Sequence, residues 1–195
     1  MDIKIDLKDY FTNQMFINDK DFDAAYLDSS HPDYLGVDMC CFRYSKTAFG
    51  MHSKIDYSLE HIKEKRNIYE KDVIRCDNQV ITVPNDKYKK IKFLGGCVWD
   101  YFCECISVNY EDGSSDKNKL FFFNFAEPTA ESYVDYSVNS TYHKNCRHVL
   151  TAFNKDMIGL SVYESEININ SSKKIISITL PENDNMCIFA ITMIK

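Results

Sequence analysis

The chain has 195 residues, enough for one domain with a sizeable core, and no stretch approaches the about 20 consecutive apolar residues of a membrane-spanning helix. A formal net charge of −6 argues against the broad basic face that nucleic-acid binding requires, while 13 Phe and 13 Tyr suit a β-rich core with rings to spare for a surface site. The N-terminus lacks the basic start and apolar run of a signal peptide, so the eight cysteines are expected to be reduced, mostly structural thiols in a cytoplasm.

Ile3-Lys4-Ile5-Asp6-Leu7 alternates apolar and polar and reads as an opening strand. Residues 9–38 are polar and irregular, with Tyr10, Phe11, Phe16, Phe22, Tyr26 and Tyr34 scattered through them. Segments of that kind wrap a sandwich edge or carry function on a loop. Short strands are expected at 39–44 and 54–59. Leu59, Ile62, Tyr69 and Val73 have helical spacing, but Arg66 interrupts the stripe, so 58–73 reads equally as a short amphipathic helix or a charged loop.

The densest strand signal lies in 78–125. Runs at 80–83, 90–94, 102–110 and 119–125 are separated by turn signals at Pro84-Asn85-Asp86, Gly95-Gly96 and Glu111-Asp112-Gly113-Ser114. The runs 105–110 and 119–125 form the clearest hairpin, because Asp112-Gly113 supplies the positive φ of a tight turn. Lysines between 87 and 92 alternate with apolar residues, which predicts a solvated strand face.

Residues 126–145 are polar, with Tyr133, Tyr136 and Tyr142. Strand character returns at 147–153 and 158–169, followed by a turn at Asn170-Ser171-Ser172. In 175–180, Ile176, Ile178 and Leu180 are expected on one face, with Ser177 and Thr179 on the other. Residues 181–185 read as the last loop and 186–194 as the last strand. With no repeat or linker, 1–195 reads as one domain. It is expected to be all-β, an antiparallel β-sandwich or jelly roll with at most one short helix.

Few residues suggest catalysis. His143, Cys146 and His148 form H-x-x-C-x-H, a set of soft metal ligands that would suit a small metal-dependent jelly-roll enzyme. On a strand 146 and 148 share a face while 143 does not, and no fourth ligand lies nearby. The plainer reading is a loop histidine, a core cysteine and a half-buried histidine. Cys103 and Cys105 would point to one face as small buried apolar residues, and the adjacent pair Cys40-Cys41 is not a redox dithiol. His31, His52 and His61 lack a matching nucleophile signature. Asp21, Asp23, Asp100 and Glu104 are available for acid–base glycoside hydrolysis, but nothing selects a pair.

Trp99, the only tryptophan, follows the glycine pair and stands beside Asp100 and Tyr101. It reads either as a core cap or as a platform on which a sugar ring stacks. If 98–102 is extended, Trp99 and Tyr101 share a face and Asp100 points away. Tyr142 and Arg147, from another segment, would add polar groups to fix hydroxyls.

The combination NQVITVP, Tyr88, IKFLGG and ISVNYEDGSS, followed by ISITLPENDNMCIFAITM at 176–193, resembles a galactose-binding-like β-sandwich module. That module is appended to bacterial glycoside hydrolases as a carbohydrate-binding or accessory domain. DLKDYFTNQMF and DFDAAYLDSS look like its opening, although Ala24-Ala25 stands where a glycine-rich continuation belongs. The resemblance implies a galactose-binding-like jelly roll and a non-catalytic carbohydrate-binding or protein-interaction role. It implies no catalytic cofactor. A structural calcium, common in such folds, would sit in the Asp-rich loop 19–28. A purely structural role in oligomerisation through an edge strand or flat face is the remaining alternative.

Overall fold

The computed structural model describes residues 2–13, 16–18, 42–44, 71–125, 143–154 and 159–195. They form two sheets. Twelve strands follow in chain order: β1 (Ile3–Lys4), β2 (Phe16–Asn18), β3 (Phe42–Tyr44), β4 (Ile74–Asp77), β5 (Val80–Lys87), β6 (Lys90–Cys97), β7 (Phe102–Tyr110), β8 (Ser115–Phe122), β9 (Cys146–Asn154), β10 (Gly159–Asn168), β11 (Lys174–Thr179) and β12 (Glu182–Ile194). The only helical elements among the described residues are 3-10 turns at Lys8–Tyr10 and His143–Asn145.

The larger sheet has the order β1-β12-β6-β10-β9-β3-β2, with β4 also paired to β12. The smaller sheet has the order β5-β11-β7-β8. All pairings are antiparallel except β2 with β3. The expected sandwich is therefore present. The strand expected at 54–59 and nearly all of the helix-or-loop segment 58–73 lie outside the described residues.

Alternation builds the core between the sheets. Ile81 and Val83 of β5, Ile106 and Val108 of β7, Leu120 and Phe122 of β8 and Ile178 of β11 face Ile91 and Phe93 of β6, Tyr163 of β10 and Ile191 of β12. Each fully buried aliphatic or Phe side chain contributes roughly 1.5–3 kcal/mol. The intervening residues of the larger sheet, Leu94, Val162 and Ala190, are buried as well. Its central strands are thus covered on both faces, which is why they read as continuous apolar runs.

Four local expectations need correction. Pro84-Asn85-Asp86 is not a turn, since β5 runs through to Lys87. Proline is tolerated there because β5 is an edge strand and loses no ladder bond on its outer side. Gly95-Gly96 is likewise inside β6. A Cβ on Gly95 would collide with the Cys187 carbonyl oxygen, and one on Gly96 with the Phe125 ring, so close packing demands both glycines. In β11 the register shifts between Ile175 and Ser177. Ile175 is buried and Ile176 is exposed, although Ile178, Leu180, Ser177 and Thr179 face as expected. Residues 182–185, read as loop, open β12 in a strand with its own irregularity.

The 105–110/119–125 hairpin is confirmed as β7 paired with β8, turning through Gly113 at φ 79°. Lys90 and Lys92 point outward from β6, as the alternating pattern predicted, and pair with Glu166 and Glu164 of β10.

Candidate functional site

The β6–β7 connection forms a rim at one end of the sandwich. Cys97 ends β6 tied to the chain after β8: its N–H donates to the Phe123 carbonyl (2.9 Å) and its carbonyl accepts from the Phe125 N–H (2.8 Å). Gly96 lets the Phe125 ring close against that strand end. The Val98 N–H then donates to the Asn185 carbonyl of β12 at 2.9 Å. With both sides pinned, the chain must reverse within three residues.

It does so at Trp99. The Asp100 N–H donates to the Val98 carbonyl at 3.0 Å across Trp99, whose φ is 74°. An i to i+2 hydrogen bond around a positive-φ residue is the rare, strained form of γ-turn. For a bulky L-residue that conformation costs about 1–2 kcal/mol. The extended path expected for 98–102 is therefore wrong, because the tie to Asn185 forces a turn. Asp100 spends one carboxylate oxygen on the Tyr101 N–H at 2.8 Å, which fixes the exit from the turn.

Trp99 is 66% exposed, so it is not a core cap. Tyr101 is 37% exposed and leans on Phe121 with ring centroids 6.0 Å apart. From there rings run through the buried Phe123 and Tyr163 and out to the exposed His148, at successive centroid distances of 4.8, 5.4 and 5.9 Å.

Beside the rim lies an open polar cleft of about 540 Å³, with Thr12, Arg75, Gln79, Asn183 and Asp184 among its lining residues. A bulge makes it. Asn183 pairs with Cys76 and Cys187 with Arg75, so residues 184–186 of β12 have no partners on β4. Arg75 closes that gap, donating from Nε to the Asp184 carbonyl (2.9 Å) and from Nη2 to the Asp184 carboxylate (3.3 Å). Gln79 clamps the end of β4, donating from Nε2 to the Arg75 carbonyl and accepting from the Asp77 N–H, both at 2.7 Å. The Asn183 amide donates to Glu104 of β7 at 3.0 Å, tying the two sheets at this end. Asn185, which holds Val98, belongs to the same bulge. Cleft and aromatic turn are therefore one construction.

The sequence did not single out Arg75, Gln79, Asn183 or Asp184. The Asn78-Gln79 pair was the available signal, since Asn78 adopts φ 56° to start β5. The polar run 182–185 looked like an ordinary loop.

Arg147 sits elsewhere, on β9, where its Nε donates to Glu164 at 2.8 Å. Glu164 is buried between Arg147 and Lys92 on the outward side of the larger sheet. Cys146 is in the core, where burial pushes its thiol far above the ordinary range. That disfavours the thiolate a metal would need. His148 is exposed rather than half-buried and meets Tyr163 edge-on. His143 belongs to the 3-10 turn before β9. No group of three His, Cys, Asp or Glu is placed to hold a metal among the described residues. Asp100 and Glu104 are occupied by Tyr101 and Asn183 as described, and Asp21 and Asp23 fall outside the described residues, as do Tyr133, Tyr136, Tyr142, His31, His52, His61, Cys40, Cys41 and the 19–28 loop. Cys103 is half-buried and Cys105 exposed, so only their shared face was foreseen.

Among the described residues no helix is long and apolar enough to cross a membrane. The sequence model of the AziU2-like beta-sandwich domain matches residues 8–195. No curated protein matches the chain.

Proposed function

The chain belongs to the AziU2-like beta-sandwich domain family, and on that premise we propose that it is a non-catalytic binding module that stacks a carbohydrate on Trp99. The observation that supports this is the turn itself. A two-ring apolar side chain is held 66% exposed on a backbone that L-residues avoid, pinned from both sides by hydrogen bonds. Backbone strain of this kind clusters at ligand sites and switch regions. Sugar rings present apolar faces that stack on an indole, and their hydroxyls take the amide, carboxylate and phenol groups beside it. Tyr101 and the free oxygen of Asp100 are the nearest such groups in the chain, with the cleft amides behind them. An accessory role beside a separate catalytic protein fits a module of this kind.

Trp99 is the sole tryptophan, so intrinsic fluorescence reads the site alone. Titration with oligosaccharides chosen from a glycan array is expected to shift that emission and raise the melting temperature together, as a ligand of the native state must. Trp99→Ala should abolish the thermal shift while changing stability by no more than about 0.5 kcal/mol. Trp99→Gly, which tolerates the positive φ, should be the more stable of the two variants. An array without a binder, or a Trp99→Ala variant less stable by the about 3–5 kcal/mol of a lost core aromatic, would overturn the proposal.

A further inference from the structure

We infer that the outer face of the smaller sheet continues the rim and takes an extended anionic polysaccharide. The inference rests on the carbohydrate reading of Trp99 and names the ligand class.

Register assigns this face. Tyr101 just precedes β7, on which Cys103, Cys105, Ser107 and Asn109 alternate with the inward Ile106, Val108 and Tyr110. Their partners on β8 are Phe121, Lys119, Lys117 and Ser115. On the other side, Asn109 and Ser107 stand opposite Ser177 and Thr179 of β11, which stand opposite Thr82 and Val80 of β5. These positions hold two lysines and no carboxylate, in a chain with 29 acidic and 23 basic residues.

The lysines differ from five others. Lys90 and Lys92 on the larger sheet, and Lys173, Lys174 and Lys195 at strand ends, each pair with a carboxylate within 4 Å. Among the described residues, neither Lys117 nor Lys119 has a carboxylate within salt-bridge distance, and both are exposed. Lys119 donates to the Cys103 carbonyl at 3.5 Å and meets the Cys105 thiol, with the Glu104 carboxylate acting on it from the neighbouring position of β7. A pair of exposed ammonium groups without a salt bridge, on outward positions that carry no carboxylate, is complementary to an anion.

Between the lysines and Val80 the side chains are short hydroxyls and an amide. Asn109 donates to Ser177 at 3.0 Å and to Thr179 at 3.1 Å, so both its N–H groups are used and its carbonyl is left to accept. The strip is already ordered, which lowers the entropy lost on binding. It leads toward the aromatic rim, where Tyr101 leans on the buried Phe121 just before the first outward residue of the same row. From Tyr101 to Asn109 the row spans about 26 Å at the rise of a strand. That length suits an extended chain of several sugars and not a monosaccharide. Acidic groups would meet Lys117 and Lys119, hydroxyls the Asn109 strip, and one ring Trp99.

Dextran and dextran sulfate share a backbone and differ in charge, so they separate the two readings. Trp99 fluorescence and calorimetry are expected to show dextran sulfate binding at least tenfold more tightly, and the advantage should fade with added salt. Polygalacturonate tests whether carboxylates serve as well as sulfates. Lys117→Glu with Lys119→Glu should weaken dextran sulfate about tenfold, and the milder Lys117→Gln with Lys119→Gln should weaken it less, both with unchanged circular dichroism. Equal binding of dextran and dextran sulfate, untouched by the lysine changes, overturns this inference and leaves the Trp99 site intact. Polyphosphate or single-stranded DNA binding as tightly as dextran sulfate also overturns it. So does self-association that the Lys→Glu pair abolishes. No response to any polysaccharide overturns both readings.

Discussion

The outward faces of the two sheets are built from similar alternating strands and finished in opposite ways. On the larger sheet, Leu94, Val162 and Ala190 are buried on the side away from the core, and the buried Glu164 is held between Lys92 and Arg147. On the smaller sheet the corresponding side is mostly hydroxyl, amide and exposed lysine, with Val80 and Ile176 exposed and Phe121 buried at the rim end. The larger sheet is a scaffold closed on both faces, while the smaller one is closed on one face and presented on the other. Alternation announces that a strand has two faces, but only the three-dimensional neighbours decide whether the second is covered.

Substitutions that attack each face measure this difference. Phe122 is fully buried on the inward side of β8, and Phe122→Ala should lower stability by about 3–5 kcal/mol in denaturant titration. A much smaller loss would mean that the two sheets do not share a tight core. Gly95→Ala comes next, at about 3 kcal/mol, because its methyl group meets the Cys187 backbone, which cannot swing aside, with the Phe122 ring close behind. If it is neutral, the contact between β6 and β12 is looser than drawn. Glu164→Gln should cost about 2 kcal/mol, the scale of a charge-assisted hydrogen bond, whereas Lys117→Gln on the smaller sheet should stay within about 0.5 kcal/mol. Equal effects from those last two would erase the distinction between scaffold and presented face.

The sequence disclosed whatever depends on neighbours within a strand or a turn. The β7–β8 hairpin was legible because Asp112-Gly113 encodes its own reversal, with Ser114 donating from N and Oγ to the Asp112 carboxylate. Trp99 was legible as a candidate because it is unique and follows two glycines. What those glycines do was not legible, since the need for them comes from Cys187 and Phe125, far away in the chain. Nor was the bulge at Ile176, or the long bulge of β12 that opens the cleft. A register shift is set by the partner strand and leaves no mark on the strand that carries it. Arg147 illustrates the same limit: the partner that engages it, Glu164, is fixed only once β9 and β10 pair. The polar face of the smaller sheet was written as separate letters in four strands, and only their order in the sheet assembles it.

The position of β12 governs how the chain reaches this structure. It pairs with β6 along one side and, on the other, first with β4 and then with β1, where Met193 lies opposite Ile3. One side of the larger sheet is thus completed by β1 against β12, and pairing Ile3 with Met193 closes a loop of nearly the whole chain before that ladder repays the entropy. The β7–β8 hairpin, closed by the four residues 111–114, forms early and waits. Folding is accordingly slow for this size, and while β12 is undocked the exposed edges of β6 and β4 are open to pairing with another chain.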